Sequence, residues 1–466
     1  MKYDAIVRNG SVVLPELPVP QPVDVAILDG RVAALLERGE GVAREQEWDA
    51  SGRVVMPGGV DPHVHVSWPY LHARTRDDYA VASRAAAAGG TTTILDFVIE
   101  GREDPLEAVL ARRRQAQGQS VVDFSFHCVV SDARPEVLQG LTDVARLGVT
   151  SFKIYMTYRR RGLAVDAETI AAVAERIAKL GGVLVVHAED ADIADEGSAE
   201  MKRSGRGAAR YLPDAKPPRA EARAIMTAAE ATARGGGRLG ILHLSSAEGL
   251  QAADEARSRW SQPAALETCP QYLMLDRSFL EGERGQRFLC SPPLRGAADA
   301  ARLWRGVADG EIDWIGSDHC LFLAHQKDEF ADAFWDCPHG LPGVETRVPL
   351  TLAEGLSRGL SLRRLSEVLS AGAARWYGLY PRKGTLLPGS DADLGVWDLE
   401  DRTLIRSEGL HMGCDWTPFE GKQALSPPRL VMVRGRAVAG EDVTPPDGWG
   451  EFLSRSSGAP ATELRG

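Results

Sequence analysis

Residues 53–66, RVVMPGGVDPHVHV, decide how the chain is read. An apolar run passes through a Gly-Gly pair and ends in His63 and His65, two imidazoles one residue apart. On a strand such residues share a face, so both rings converge on one point, and neutral imidazole is a common ligand for zinc and similar ions. Taken alone, the pair reads better as two surface histidines. It gains weight because the run is the first of a series: TTTILDFV (91–98), VVDFSFHCVV (121–130), VTSFKIYM (149–156), GVLVVHAE (182–189), LGILHLS (239–245), AALETCP (264–270) and IDWIGSDH (312–319). Helical stretches lie between most of them, for example 166–180 and 219–234. Continuous apolar runs alternating with helices predict a parallel sheet covered on both faces. The repeated unit fits a closed (β/α)8 barrel better than an open sheet, which chain order alone does not exclude.

Outside this middle the texture changes. Residues 1–53 hold short segments, YDAIVRNGSVV and PVDVAILDGRVAAL, broken by Asn9-Gly10 and Asp29-Gly30, and both dipeptides read as hairpin turns. A similar pattern returns over 383–445, with Arg434-Gly435-Arg436 as a further turn. The two ends are expected to build one small β domain around a barrel of residues 54–382. A tail, 446–466, is left either disordered or docked on a neighbouring subunit.

Bulk properties narrow the class. The 466 residues are 44% hydrophobic and 26% charged, with 54 Lys and Arg against 65 Asp and Glu, a formal charge of −11. That balance disfavours nucleic acid as a partner, since phosphate contacts need clustered cations. No basic segment with a following apolar run opens the chain, and no apolar stretch reaches the ~18 residues of a membrane span. The six cysteines show no CxxC spacing and read as reduced thiols, so a cytoplasmic protein with neither membrane nor nucleic-acid partner is expected.

Polar residues stand at the ends of the apolar runs, where barrel active sites are built. They are His63, His65, Lys153, His187, His243 and Asp318. Four of the ten histidines fall at such ends. Lys153, between Phe152 and Ile154, would bury an ammonium at a cost of several kcal/mol unless it snorkels to the rim. Reaction of its amine with CO2 would instead give a carbamate, an anion with two oxygens suited to bridging two cations. Asp318 is suited to bind an ion and take a proton from a metal-activated water, or to cap a turn. The Gly-rich 235–237 segment reads as a loop, and Arg159–Arg161 as a solvated loop just beyond the site.

The motifs PGGVDPHVHV, TSFKIYMTY, VVHAED, LHLSSAEG, ETCPQYL, SPPLR, IGSDHC, HGLPGVETR and DWTPFEG, in this order over about residues 50–421, resemble those of the cyclic amidohydrolases, most closely the dihydropyrimidinase and D-hydantoinase branch. The resemblance implies a TIM-type barrel with a β-sandwich from both termini, a homo-oligomer (tetramer or dimer), and two divalent metal ions, usually Zn2+. It implies that His63, His65 and Asp318 bind one ion, His187 and His243 the other, and Lys153, as N6-carboxylysine, bridges them. Tyr158 then matches a donor to the developing oxyanion, and Ser291 and His339 mark main-chain contacts to the ring. The implied reaction is hydrolysis of a small-molecule cyclic amide to an N-carbamoyl amino acid, with Asp318 moving the proton. Departures are the SWPYLHARTRDD loop (67–78), where the branch usually has Gly-Gly-Thr, and His339, where Asn is usual. The first leaves the preference for the ring's side group open; RTRDDYAVASRAAAAGGTTT (74–93) leans toward allantoinases, Lys153-Ile154-Tyr155-Met156 with Tyr158 leans back toward hydantoinases, and an allantoinase or cyclic-imide hydrolase is the runner-up. His72, Arg74 and Arg159–Arg161 lean toward a substrate with an acidic group. The non-catalytic collapsin response mediator proteins share the fold but lack the metal ligands, whereas every ligand position is filled here.

Overall fold

The computed structural model describes residues 2–70, 72–99, 104–260 and 264–456. The strands β1 (Gly59–Val64), β2 (Thr91–Val98), β3 (Asp123–Val129), β4 (Ser151–Tyr155), β5 (Val183–His187), β6 (Leu239–Ile241), β7 (Ala264–Thr268) and β8 (Trp314–Ile315) form one eight-stranded sheet, each beside the next. Past β8 the chain returns to β1 through a parallel bridge between Val64 and His319 and a 2.8 Å hydrogen bond from the His65 amide to the His319 carbonyl. The sheet is therefore closed, and the open alternative falls. Every strand residue is buried, one face filling the barrel and the other meeting helices, which explains why the runs are continuously apolar.

The helices follow their sequence signals. In Ala167–Lys179 the Asp166 side chain accepts from the Thr169 amide, and Ile170, Val173, Ala174 and Ile177 form the buried stripe. That spacing is one helical face, and each of its large side chains contributes about 1.5–3 kcal/mol by burial. Pro218–Arg234 begins with Pro at its first position and ends at Gly235, so the glycines at 235–237 are a loop, as expected.

Both termini build the sandwich. A four-stranded sheet (Lys2–Arg8, Val23–Leu28, Arg31–Glu37, Ala43–Asp49) faces a five-stranded one (Ser11–Val12, Val54–Pro57, Leu394–Trp397, Leu430–Val433, Arg436–Gly440) across Val7, Val25, Ile27, Val55, Leu394 and Met432. Asp29-Gly30 and Arg434-Gly435 turn hairpins with positive φ at both residues, as expected.

Three expectations change. Asn9-Gly10 makes no hairpin; it carries the chain from one sheet to the other, because Lys2–Arg8 and Ser11–Val12 pair with different partners. The decisive stretch is shared: Val54–Pro57 pairs antiparallel with Leu394–Trp397 in the sandwich, and the barrel begins after Gly58. A Cβ at Gly58 would lie 2.2 Å from Thr92 Oγ1, so only glycine lets the chain cross between the layers. The tail, as far as residue 456, is ordered on its own barrel. Leu453 donates to the Phe124 carbonyl (2.7 Å), and Arg455, buried, donates through Nε to Ser125 Oγ (3.0 Å). Residues 457–466 of the tail lie outside the described residues.

Candidate active site

The strand ends carry the chemistry. His63 lies in the last pair of β1 residues and His65 just beyond; Lys153 is central in β4, His187 ends β5, and His243 and Asp318 follow β6 and β8. Tyr158, Ser291 and His339 come from the loops beyond. All these sequence candidates line a single cavity, together with Trp68, Tyr70, Tyr155, Arg161 and Cys320.

His63 Nε2 and His65 Nε2 stand 3.0 and 3.1 Å from the same Asp318 oxygen. These three residues present ligand atoms within 4.8 Å of one another, all buried, close enough to hold one ion. His187 and His243 form a second group, with ring centroids 4.4 Å apart, and His243 lies 5.4 Å from His63. Lys153 Nζ lies over aromatic faces, 4.7 Å from the Tyr155 ring centre and 5.4 Å from that of Phe97. Among the described residues neither Lys153 Nζ, His65 Nδ1 nor His243 Nδ1 has a hydrogen-bond partner, although all are buried. Orphaned buried polar atoms cost about 1–3 kcal/mol each, so a cluster of them at one point fits a site made for cations and a bridging anion.

Backbone strain collects at the same place. Tyr158 (φ 69°), His243 (φ 41°) and Asp318 (φ 49°) are all left-handed, a conformation that costs a bulky residue ~1–3 kcal/mol and persists only where surroundings enforce it.

Electrostatics separate the imidazoles. Burial keeps His65 and His187 at about 4 and His243 well below its ordinary value, so these rings are neutral and ready to ligate. Burial also disfavours charge on His63, but the Glu267 and Asp318 carboxylates outweigh it and hold the ring at about 9. Burial brings Lys153 down to about 7 against the pull of Glu267 and Asp318, so much of the amine is free base near neutrality. Burial holds the Tyr158 hydroxyl protonated, well above its usual pKa.

Sequence reasoning missed the carboxylates that orient the rings. Glu267 on β7 accepts from His63 Nδ1 (2.6 Å), the His243 amide (3.0 Å) and Trp314 Nε1 (2.8 Å). Glu189 pairs with His187 Nε2 at 2.7 Å and with Lys216 at 3.0 Å; Lys216 continues to Ser291 Oγ (3.1 Å), which meets His339 Nδ1 at 2.8 Å. Such partners fix tautomer and ring direction. A signal existed for both: each is a carboxylate inside or just after an apolar run, the feature that singled out Lys153. Arg161 was read with a solvated loop, but only Arg159 and Arg160 are exposed; Arg161 reaches the cavity wall. From the 67–78 loop, Trp68 and Tyr70 enter the cavity, and Leu71 lies outside the described residues.

A closed parallel barrel with imidazoles and carboxylates gathered at its C-terminal rim defines a class of metallohydrolase, and the amidohydrolase family model matches residues 54–438. The chain belongs to the amidohydrolase family. It is 34% identical to a D-hydantoinase of Geobacillus stearothermophilus over 97% of this chain and 96% of that one, and 36% identical to a D-phenylhydantoinase of Escherichia coli over 98% and 99%. Among solved structures it superposes on a dihydropyrimidinase from Brevibacillus agri with a TM-score of 0.93 at 34% identity, covering 98% and 99% of the two chains. An L-hydantoinase from Arthrobacter aurescens gives 0.90 at 33%, covering 97% and 100%. No helix among the described residues is long and apolar enough to cross a membrane.

Proposed function

We propose that this protein opens hydantoin or dihydropyrimidine-type rings by hydrolysing a –CO–NH– bond, releasing an N-carbamoyl amino acid, and that it works with two divalent ions, zinc by the donor set. The observation that carries this reading is Lys153: a buried amine, with no hydrogen-bond acceptor among the described residues, in the same cavity as the neutral imidazoles of His65, His187 and His243. In this reading Lys153, as a carbamate, would ligate both ions, His63, His65 and Asp318 would hold one of them, and His187 and His243 would hold the other. When bound, such ions polarise a carbonyl and lower the pKa of water toward 7.

The chain's own groups do the rest. Tyr158, kept protonated by burial, donates its O–H to the carbonyl oxygen as negative charge develops there, a task in which one aligned donor supplies about 2.7–4 kcal/mol. Asp318 takes a proton from the attacking water and passes it to the ring nitrogen as the C–N bond breaks. The carbonyl carbon gains the hydroxyl, so the atoms of one water are accounted for. Glu267 and Glu189 hold His63 and His187 in their ligating tautomers. Ser291 Oγ is committed to Lys216 and His339, which leaves main-chain groups at Ser291 and His339 to hold the ring amide. A homo-oligomer, tetramer or dimer, working in the cytoplasm belongs to the same proposal; the cysteines, unpaired and mostly buried, support a reducing compartment.

The test is turnover by metal-loaded protein, grown with bicarbonate, of hydantoin, dihydrouracil, 5-phenylhydantoin, allantoin, dihydroorotate and succinimide. Turnover of hydantoin or dihydrouracil, lost by at least ~1,000-fold in Lys153→Ala, is the expected outcome. Allantoin or succinimide as the sole substrate would move the assignment to the neighbouring cyclic amidases. Silence across the panel from metal-replete protein, or full activity in Lys153→Ala, would overturn it.

A further inference from the structure

Cations crowd the mouth of the cavity, and Arg159, Arg160 and Lys216 each face a carboxylate. Arg159 is paired with Asp192 (2.7 Å) and Asp195 (2.9 Å), and Arg160 faces Asp336 at 3.7 Å. Lys216 is neutralised by Glu189 at 3.0 Å, and Arg74 is exposed and donates to the Ser67 carbonyl. His339 carries no charge, since burial holds it at about 3. Arg161 differs. It lines the same cavity as Lys153 and His63, and among the described residues no carboxylate pairs with it. Its guanidinium lies over the Tyr70 ring at 4.5 Å and the Tyr158 ring at 5.5 Å, and Nη2 donates to the Pro69 carbonyl at 2.9 Å.

A guanidinium has five N–H donors in a rigid fork matched to a carboxylate, and here one donor is held by Pro69 while the aromatic faces fix the plane. The position is equally telling. Arg161 stands where the inner cavity meets an outer chamber lined by Tyr70, Tyr158, Lys216, Trp335 and Asp195, the last already taken by Arg159. A ring seated against Tyr158 would project its side group past Arg161 into that chamber.

We propose that Arg161 is a specificity residue that pairs with an anionic group on the substrate's side arm, so that the preferred substrates are cyclic amides bearing a carboxylate or carboxyalkyl substituent. The inference rests on reading the cavity as a cyclic-amide hydrolase site. The experiment compares kcat/KM for 5-carboxymethylhydantoin and its neutral carboxamide, which have the same shape, in the wild type, Arg161→Gln and Arg161→Lys. A charge-assisted pair predicts a wild-type preference for the acid of roughly 10- to 100-fold, carried mainly in KM and shrinking as salt is added. Arg161→Gln should bring the ratio to about one or below, and Arg161→Lys should keep part of it as a point charge. Because the ratio cancels any general loss in a variant, perturbation of the neighbouring Tyr158 does not mimic the result. Turnover of both compounds with a wild-type ratio near one, or a preference that survives in Arg161→Gln, overturns the assignment and leaves the cyclic-amide reading intact. Turnover of neither, nor of unsubstituted hydantoin or dihydrouracil, overturns both.

Discussion

The two ends of the barrel each gather buried charge, and they are built in opposite ways. At the N-terminal end Asp123, Asp391 and Asp393 present oxygens close enough together to hold an ion. The chain fills that position itself: Lys383 Nζ reaches the three at 2.6, 2.9 and 2.8 Å, and Arg434 binds Asp123 as well. At the C-terminal end His63, His65 and Asp318 also lie within reach of one ion, but among the described residues the neighbouring Lys153 touches no carboxylate and has no acceptor. The two lysines record the difference. Burial opposes charge on both, yet Asp123, Asp393 and Asp391 hold Lys383 above the ordinary lysine range, whereas Lys153 sinks to about 7. A cluster of carboxylates therefore does not by itself mark a metal site. What separates a structural cluster from a functional one is whether the chain supplies the compensating charge, because each buried ion left alone costs several kcal/mol.

That contrast can be broken from either end. Lys383→Met strips the cation from three carboxylates that have almost no contact with water, so a loss of about 3–5 kcal/mol in unfolding free energy is expected. Denaturant melts would read it, and the metal content of the folded fraction should not change. A near-neutral Lys383→Met would mean that the N-terminal cluster is not closed in the way described. Glu189→Gln probes the other end more gently. It keeps the shape but weakens the hold on His187 and leaves Lys216 short of its countercharge, so metal affinity should fall about 10- to 100-fold. Competition with a chromophoric chelator would measure it; unchanged affinity would remove Glu189 from the support of the site.

Much of this is legible in the sequence. Buried parallel strands must be apolar along their length, so the barrel showed as a series of short runs, and the polar residues interrupting their ends are the ones that meet in the cavity. Periodicity was less informative where tertiary pairing overrides local preference. Val54–Pro57 reads like a barrel strand and pairs in the sandwich, and Asn9-Gly10 has hairpin chemistry but links two sheets. A carboxylate in or just after an apolar run marks Glu267 and Glu189 themselves, but their orienting roles escaped because hydrogen bonding between side chains far apart in sequence, such as Glu267 with His63 or Lys216 with Ser291, leaves no local pattern. Arg161 could be named only together with Arg159 and Arg160 for a related reason: three consecutive arginines look alike, and only the turn that starts at Tyr158, with its positive φ, sends one of them inward.

Native mass spectrometry of the protein grown with zinc and bicarbonate, beside Lys153→Ala, tests the central claim most directly. The account predicts a chain carrying two metal ions and one CO2 adduct, with the adduct absent and at least one ion lost in Lys153→Ala. A wild-type chain that binds no ion and no adduct under those conditions, or a variant that keeps both ions, would contradict it.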